Sequence, residues 1–338
     1  MKWMILILST LTIGFSAADA AVLLVANKSA NTVDLVDPTT GKSAATLETG
    51  YRPHEIAVRP DGAVAVISNY GDGKKAGSSL TVIDVPGKAV LRTISLGDHT
   101  RPHGLAWLDG NRVAVTTEGS AHLVVVDVEA AKVVSAVETA QRVSHMVAVS
   151  RDGSRGFVAN IGSGNVTAID LTDGKKLGDI ETGAGAEGIA TSPDGSEIWV
   201  GNREADTLSI IDPMTLKVVG EVSCPGFPIR VAFTPDGKRA LVSAAKTGEV
   251  VVFDVNSRKE LVRRKLDLST VDGAAERLFG TRFGESPVPV GLVISPDGKR
   301  AFVAATQADV VVVVDPSSLD VIDLIKAGEE PDGMAWAK

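Results

Sequence analysis

The chain has 338 residues, a formal net charge of −8 and a single cysteine, Cys224. An acidic chain with four tryptophans and two tyrosines lacks the basic stripe of a nucleic-acid binder, and one cysteine excludes an intramolecular disulfide. Stability must come from packing.

Met1-Lys2 is a short basic start, Trp3 to Phe15 is mostly apolar, and Ala18-Asp19-Ala20 places small residues where a signal peptidase reads. The apolar stretch is too short to cross a bilayer, although an uncleaved anchor is the alternative. The expectation is a signal peptide over residues 1–20, cleaved after Ala20, and a periplasmic or secreted protein. No later apolar run reaches spanning length, so residues 21–338 are expected to carry no membrane span, and to form one domain and a monomer.

Along that remainder a turn signal recurs. Asp-Gly stands at Asp61, Asp109, Asp152, Asp194, Asp236 and Asp297, at separations of 48, 43, 42, 42 and 61 residues. Around each turn four short strands can be read. In one repeat they are Gly188-Ile189-Ala190-Thr191, Ile198 to Asn202, Leu208 to Asp212 and Lys217 to Val222. Four strands per repeat of about 42 residues is a propeller blade. The third strand closes on an aspartate seven times: Asp37, Asp84, Asp127, Asp170, Asp212, Asp254 and Asp315. Repeated in every blade, these read as turn caps rather than catalytic acids. The predicted fold is therefore an all-β, seven-bladed propeller of four-stranded antiparallel blades. The chain begins with strands two to four and ends on strand one, Gly333-Met334-Ala335-Trp336, so the termini should complete one blade and leave no open sheet.

The second strands read Leu24-Val25-Ala26-Asn27, Phe157-Val158-Ala159-Asn160 and Trp199-Val200-Gly201-Asn202, and Ser-Pro-Asp-Gly turns stand at 192–195 and 295–298. In these motifs the chain resembles the YVTN-repeat, YncE-like family of exported bacterial β-propellers over essentially its whole mature length. The resemblance implies the fold. It implies little about activity, since the family's functions are varied.

Blades numbered from the inner strand at His54 convert a scattered set of residues into a ring. The residue just before each inner strand's apolar run is His54, His103, His145, Glu187, Ile229, Val290 and Asp332. These positions should circle the axis at one tunnel mouth. Three of the chain's five histidines then lie on consecutive blades, with a carboxylate on each flank. Three converging imidazoles suit Zn, Cu or Fe and leave a coordination position open for water or substrate. Glu187 is the candidate fourth ligand or general base, and Asp332 the candidate catalytic acid or partner that orients His54. A hydrogen-bonded polar lining is the competing reading of the same ring. His99 and His122 fall outside the register.

The ends of the second strands should surround the ring, bringing Tyr70, Glu118 and Arg203 after Asn69, Thr117 and Asn202. Those asparagines, with Asn27 and Asn160, read first as loop ties. Arg52, Arg101, Arg142 and Arg230 flank the ring positions. With Tyr70 and Arg203 they are candidate contacts for a small anionic ligand; the alternative is that the arginines neutralise Glu187, Glu330 and Asp332. Two insertions belong to the same face. One is a loop from Tyr70 to Ser79, and the other is a stretch over about 265–287 with an expected short helix at 272–280 that offers Arg277, Arg282 or Phe283.

Neither haem nor nucleotide is expected. No Cys-x-x-Cys-His motif occurs, and the Gly-x-Gly-x-x-Gly match at 183–188 leads into a strand rather than a helix. The functional expectation is a metal-dependent hydrolase, lyase or oxidase acting on a small anion. The alternative is a non-catalytic propeller that binds a ligand or a periplasmic protein.

Overall fold

A computed structural model describes residues 21–269, 271, 273 and 283–338. The expected signal peptide, Arg277, Arg282 and the expected helix at 272–280, Gly273 apart, lie outside the described residues. Among those described, twenty-eight strands, numbered in chain order, form seven four-stranded antiparallel sheets. Six sheets use consecutive strands. The seventh pairs β28 (Pro331–Ala337) with β1 (Val22–Asn27), then β2 (Thr32–Val36) and β3 (Ser43–Glu48). Val22 faces Ala337 and Leu24 faces Ala335, so the two ends of the chain complete one blade as expected.

The apolar runs of the central strands follow from burial on both faces of each blade, where a period of two sends alternate residues to different neighbours. Leu23 and Val25 pack toward blade six, whereas Leu24 and Ala26 pack toward blade one. Among the described residues, seven buried clusters each fill the space between two adjacent blades. An eighth lies at the tunnel mouth and contains Ile229, Ala245 and Val288. The seven closing aspartates cap turns: Asp37, for example, accepts the Thr39 amide at 2.8 Å, and Asp254 accepts that of Ser257 at 2.7 Å.

One local device repeats in every blade and builds the mouth. Two residues before each ring position the backbone is left-handed: at Arg52, Arg101, Val143, Gly185, Phe227, Val288 and Glu330, with φ between 52° and 77°. Six of these seven are not glycine, so each carries steric strain that the surrounding structure must hold. The carbonyl of each accepts the amide of the residue that follows a second strand, or in blade one of Tyr70 inside the end of the longer strand, from Tyr70 N to Arg52 O at 3.1 Å round to Lys28 N to Glu330 O at 2.9 Å. A proline, serine or alanine then starts the inner strand, and the pairing register slips within the next few residues in all seven blades. Such bulges re-aim side chains. Here they turn the ring residue, and in blades one and five the next residue too, toward the axis.

Between Tyr70 and Ser79 the structure differs from the expected loop. The strands continue as β5 (Val64–Gly71) and β6 (Ala76–Asp84), paired as far as Gly71 with Ala76. Only the residues from Asp72 to Lys75 turn, and Asp72 holds them by accepting the amides of Lys74 and Lys75.

Candidate metal and ligand site at the tunnel mouth

All seven ring residues line one cavity of about 300 Å3. The seven inner strands, β4 (Pro53–Val58), β8 (Pro102–Trp107), β12 (Ser144–Val149), β16 (Ala186–Thr191), β20 (Pro228–Phe233), β24 (Pro289–Ile294) and β28, each contribute one. A second tier comes from the residues after the second strands. Of these, Lys28, Arg203, Ala245 and Thr306 line the cavity, while Tyr70 and Glu118 back the histidines.

The three ring histidines are in continuous contact, edge to face between His54 and His103 and tilted between His103 and His145. Ring centroids are 4.9 Å apart for His54 and His103 and 3.6 Å apart for His103 and His145. Tyr70 closes the far side, 4.4 Å from His54 and 5.5 Å from His103, with the Arg101 guanidinium 5.6 Å from its own ring. Each imidazole has a different surrounding. His54 donates from Nδ1 to the Arg52 carbonyl at 3.0 Å, which leaves Nε2 as its lone-pair nitrogen. Burial holds its pKa down at about 4. His103 is buried, and its Nδ1 has no hydrogen-bond partner. Burial, then the neighbouring histidines, push its pKa well below the usual value. His145 is the exception. Burial opposes its charge, but Glu118 and Glu187 outweigh it and raise the pKa to about 9. Its Nδ1 meets Glu118, and its Nε2 lies 3.3 Å from Glu187.

The donors that converge as a possible cation site are His103, His145 and Glu118, with one ligand atom from each inside 4.8 Å of the others. His54 adjoins this group without belonging to it. Tyr70 Oη donates to Glu118 at 2.5 Å and so orients it; burial and the Glu118 charge raise the tyrosine to about 12. Glu187 also receives Arg203 Nη1 at 2.6 Å. Asp332 binds Lys28 at 3.2 Å, while the Nδ1 of His54 is taken by the Arg52 carbonyl, so the contact seen at this aspartate is with lysine rather than with the histidine it was expected to orient.

Two of the four flanking arginines, Arg52 and Arg230, neutralise acids, as does Arg203 of the second tier. Arg52 pairs with Glu330 at 3.0 Å, Arg203 with Glu187, and buried Arg230 with buried Glu55. Blades one and five are not neighbours, so the last pair crosses the tunnel one residue deeper than the ring. Arg142 bonds the Gly162 carbonyl, and Arg52, Arg101 and Arg142 do not line the cavity. The asparagines tie loops: Asn27 accepts the Gly328 amide and Asn69 that of Gly50, each at 3.0 Å. Cys224 is buried between blades four and five, where burial raises its thiol to about 12. His99 and His122 contact each other, ring centroids 5.0 Å apart, and do not line the cavity.

Residues 107–273 match the model of the YNCE-like β-propeller family. The likeness read from the repeats is borne out over that stretch. No curated protein matches the chain. Solved structures share its fold. A functionally unknown protein from Desulfotomaculum acetoxidans DSM 771 is 15% identical with a TM-score of 0.77, over 94% of this chain and 98% of its own. Kuenenia stuttgartiensis hydrazine synthase is 19% identical with a TM-score of 0.69, over 83% and 88%. Dihydro-heme d1 dehydrogenase NirN, in complex with DHE, is 16% identical with a TM-score of 0.67, over 95% and 76%. At these identities the likeness is one of fold.

Sequence reasoning grouped Glu118 with the mouth without assigning it as a donor, and it passed over Lys28 and Glu55. Lys28 was within reach, because it follows Asn27 in the register that yields Tyr70, Glu118 and Arg203. Glu55 was not, since only the bulge turns two successive residues inward.

Proposed function

We propose that the tunnel mouth binds a divalent transition-metal ion, Zn, Cu or Fe, through His103, His145 and Glu118, with His54 beside the site. The observation that carries this reading is the convergence of those three donors, one of them a buried histidine whose Nδ1 has no hydrogen-bond partner. Burying such an atom without a hydrogen bond is unfavourable, and a metal ion would satisfy it. Three protein donors leave a position open, and a metal there would polarise an oxygen or activate water. Glu187, already bonded to His145 and Arg203, is the group nearest at hand to move a proton. Hydrolase, lyase or oxidase chemistry would suit such a site in an exported protein.

Charge supports a small anionic substrate. Lys28, Arg203, Arg230 and protonated His145 are matched by Asp332, Glu187, Glu55 and Glu118. A divalent ion that displaces the His145 proton would raise the net charge by one, which a single negative charge on the ligand would balance.

The second reading is a non-catalytic propeller that binds a ligand or a protein partner. It draws support from His145, whose two nitrogens are both met by carboxylates and form a closed network without metal. Elemental analysis of tag-free protein separates the two. The metal reading expects about one equivalent, lost in His103→Ala. Failure to take up Zn, Cu or Fe after reconstitution would overturn it and leave the binding module.

A further inference from the structure

The ring is not uniform, and its second composition identifies what the site takes. At the positions where blades one to three present histidine, blades five and six present Ile229 and Val290. In the second tier blade five repeats the change, with Ala245 where blade four has Arg203, while blade six presents Thr306. Val288 and Phe227, the left-handed residues of these two blades, also line the cavity, and Phe283 packs on Phe227 with ring centroids 5.5 Å apart. These six apolar residues form one cluster, the only one of the eight among the described residues that lies at the mouth rather than between blades. An apolar wall therefore faces the same 300 Å3 space as the histidines.

Arg203 stands at the seam. Its Nη1 holds Glu187, its guanidinium lies 5.0 Å from the Phe227 ring centre, and its Nε is buried with no hydrogen-bond partner. Arg203 also lines the cavity, so its guanidinium is the cationic group that a ligand oxygen would meet between the two halves.

The geometry points to a monocyclic aromatic compound carrying one anionic oxygen group, a carboxylate or a phenolate, as the ligand. Its ring lies against Phe227, Ile229, Val290 and Phe283, and its oxygen is presented to Arg203 and the histidine side. Wholly polar anions leave the apolar wall uncovered, and purely apolar molecules leave the polar arc uncovered. The size agrees, because cavities of about 150 Å3 hold benzene and this one leaves room for a head group as well. This assignment rests on the metal reading for what the head group meets, and on the apolar arc for the ring.

Calorimetric titration of zinc-loaded, tag-free protein with benzoate and with acetate tests it. The expected result is benzoate binding at least about tenfold more tightly, with the preference lost in Val290→Ser while zinc content stays unchanged. A smaller preference in protein that holds stoichiometric zinc, or no binding of either probe, overturns the aromatic assignment and leaves the metal site standing. A benzoate preference that persists in protein unable to hold zinc sustains the ligand class and overturns only the metal reading.

Discussion

Two arcs of one ring use the same backbone for opposite chemistry. Blades seven and one to four present Asp332, His54, His103, His145 and Glu187, whereas blades five and six present Ile229 and Val290. Each arc is shaped by a left-handed residue followed by a bulge, and each is tied by the same amide-to-carbonyl bond from the second tier. The difference lies wholly in the side chains. A repeat scaffold can therefore divide a pocket into a titratable half and a greasy half by substitution at fixed register, without altering the fold.

The pair that ties the arcs together should show the largest effect. Glu55 of blade one and Arg230 of blade five are both buried, and removing one partner leaves the other charge uncompensated. Glu55→Gln or Arg230→Met should each cost about 3–5 kcal/mol in urea unfolding. Replacing both by apolar residues should restore much of that loss. If the single variants unfold like the wild type, the pair does not hold the arcs.

Within the polar arc, His103→Ala should weaken zinc binding by about a hundredfold or more, since two remaining donors cannot close the site. Tyr70→Phe removes only the bond that orients Glu118 and should cost about tenfold. Competition with a coloured chelator measures both. An equal loss in Ile229→Ala would erase the proposed division between the arcs.

The polar arc should also make stability depend on pH, with opposite signs for its members. The pKa of His145 is raised from 6.5 to about 9, so its contribution is fully present below 6.5 and disappears as the pH climbs through about 9. His54 is depressed to about 4, and His103 well below its usual value, so their contributions are present above 6.5 and lost on acidification. Thermal melts of metal-free protein should peak near pH 6.5. Glu118→Gln should flatten the alkaline side, by removing a partner that raises His145, and should also remove the acid-side contribution of Glu118, whose own pKa His145 and Tyr70 hold down.

The smallest expected effect concerns the shared backbone. Val143 is β-branched at φ 58°, where glycine is at ease. Val143→Gly should relieve strain that offsets its greater unfolded-state entropy, leaving stability within about 1 kcal/mol of the wild type. A much larger loss would show that the side chain, rather than the left-handed turn, supports the arc.

The amino-acid sequence by itself determined the blades. Apolar alternation, the Asp-Gly turns and the aspartates closing each third strand are local signals, and repetition multiplies them until seven copies and their closure can be counted. Register alone then carried His54, His103, His145, Glu187 and Asp332 to one mouth, because equivalent positions in a closed ring must face the same axis. Only the tertiary structure decided which groups meet. Glu118 rather than His54 joins the donor cluster, Lys28 rather than His54 holds Asp332, and Glu55 reaches Arg230 across the tunnel. These choices depend on bulges and on side-chain reach between blades distant in sequence, and no local pattern records such distances.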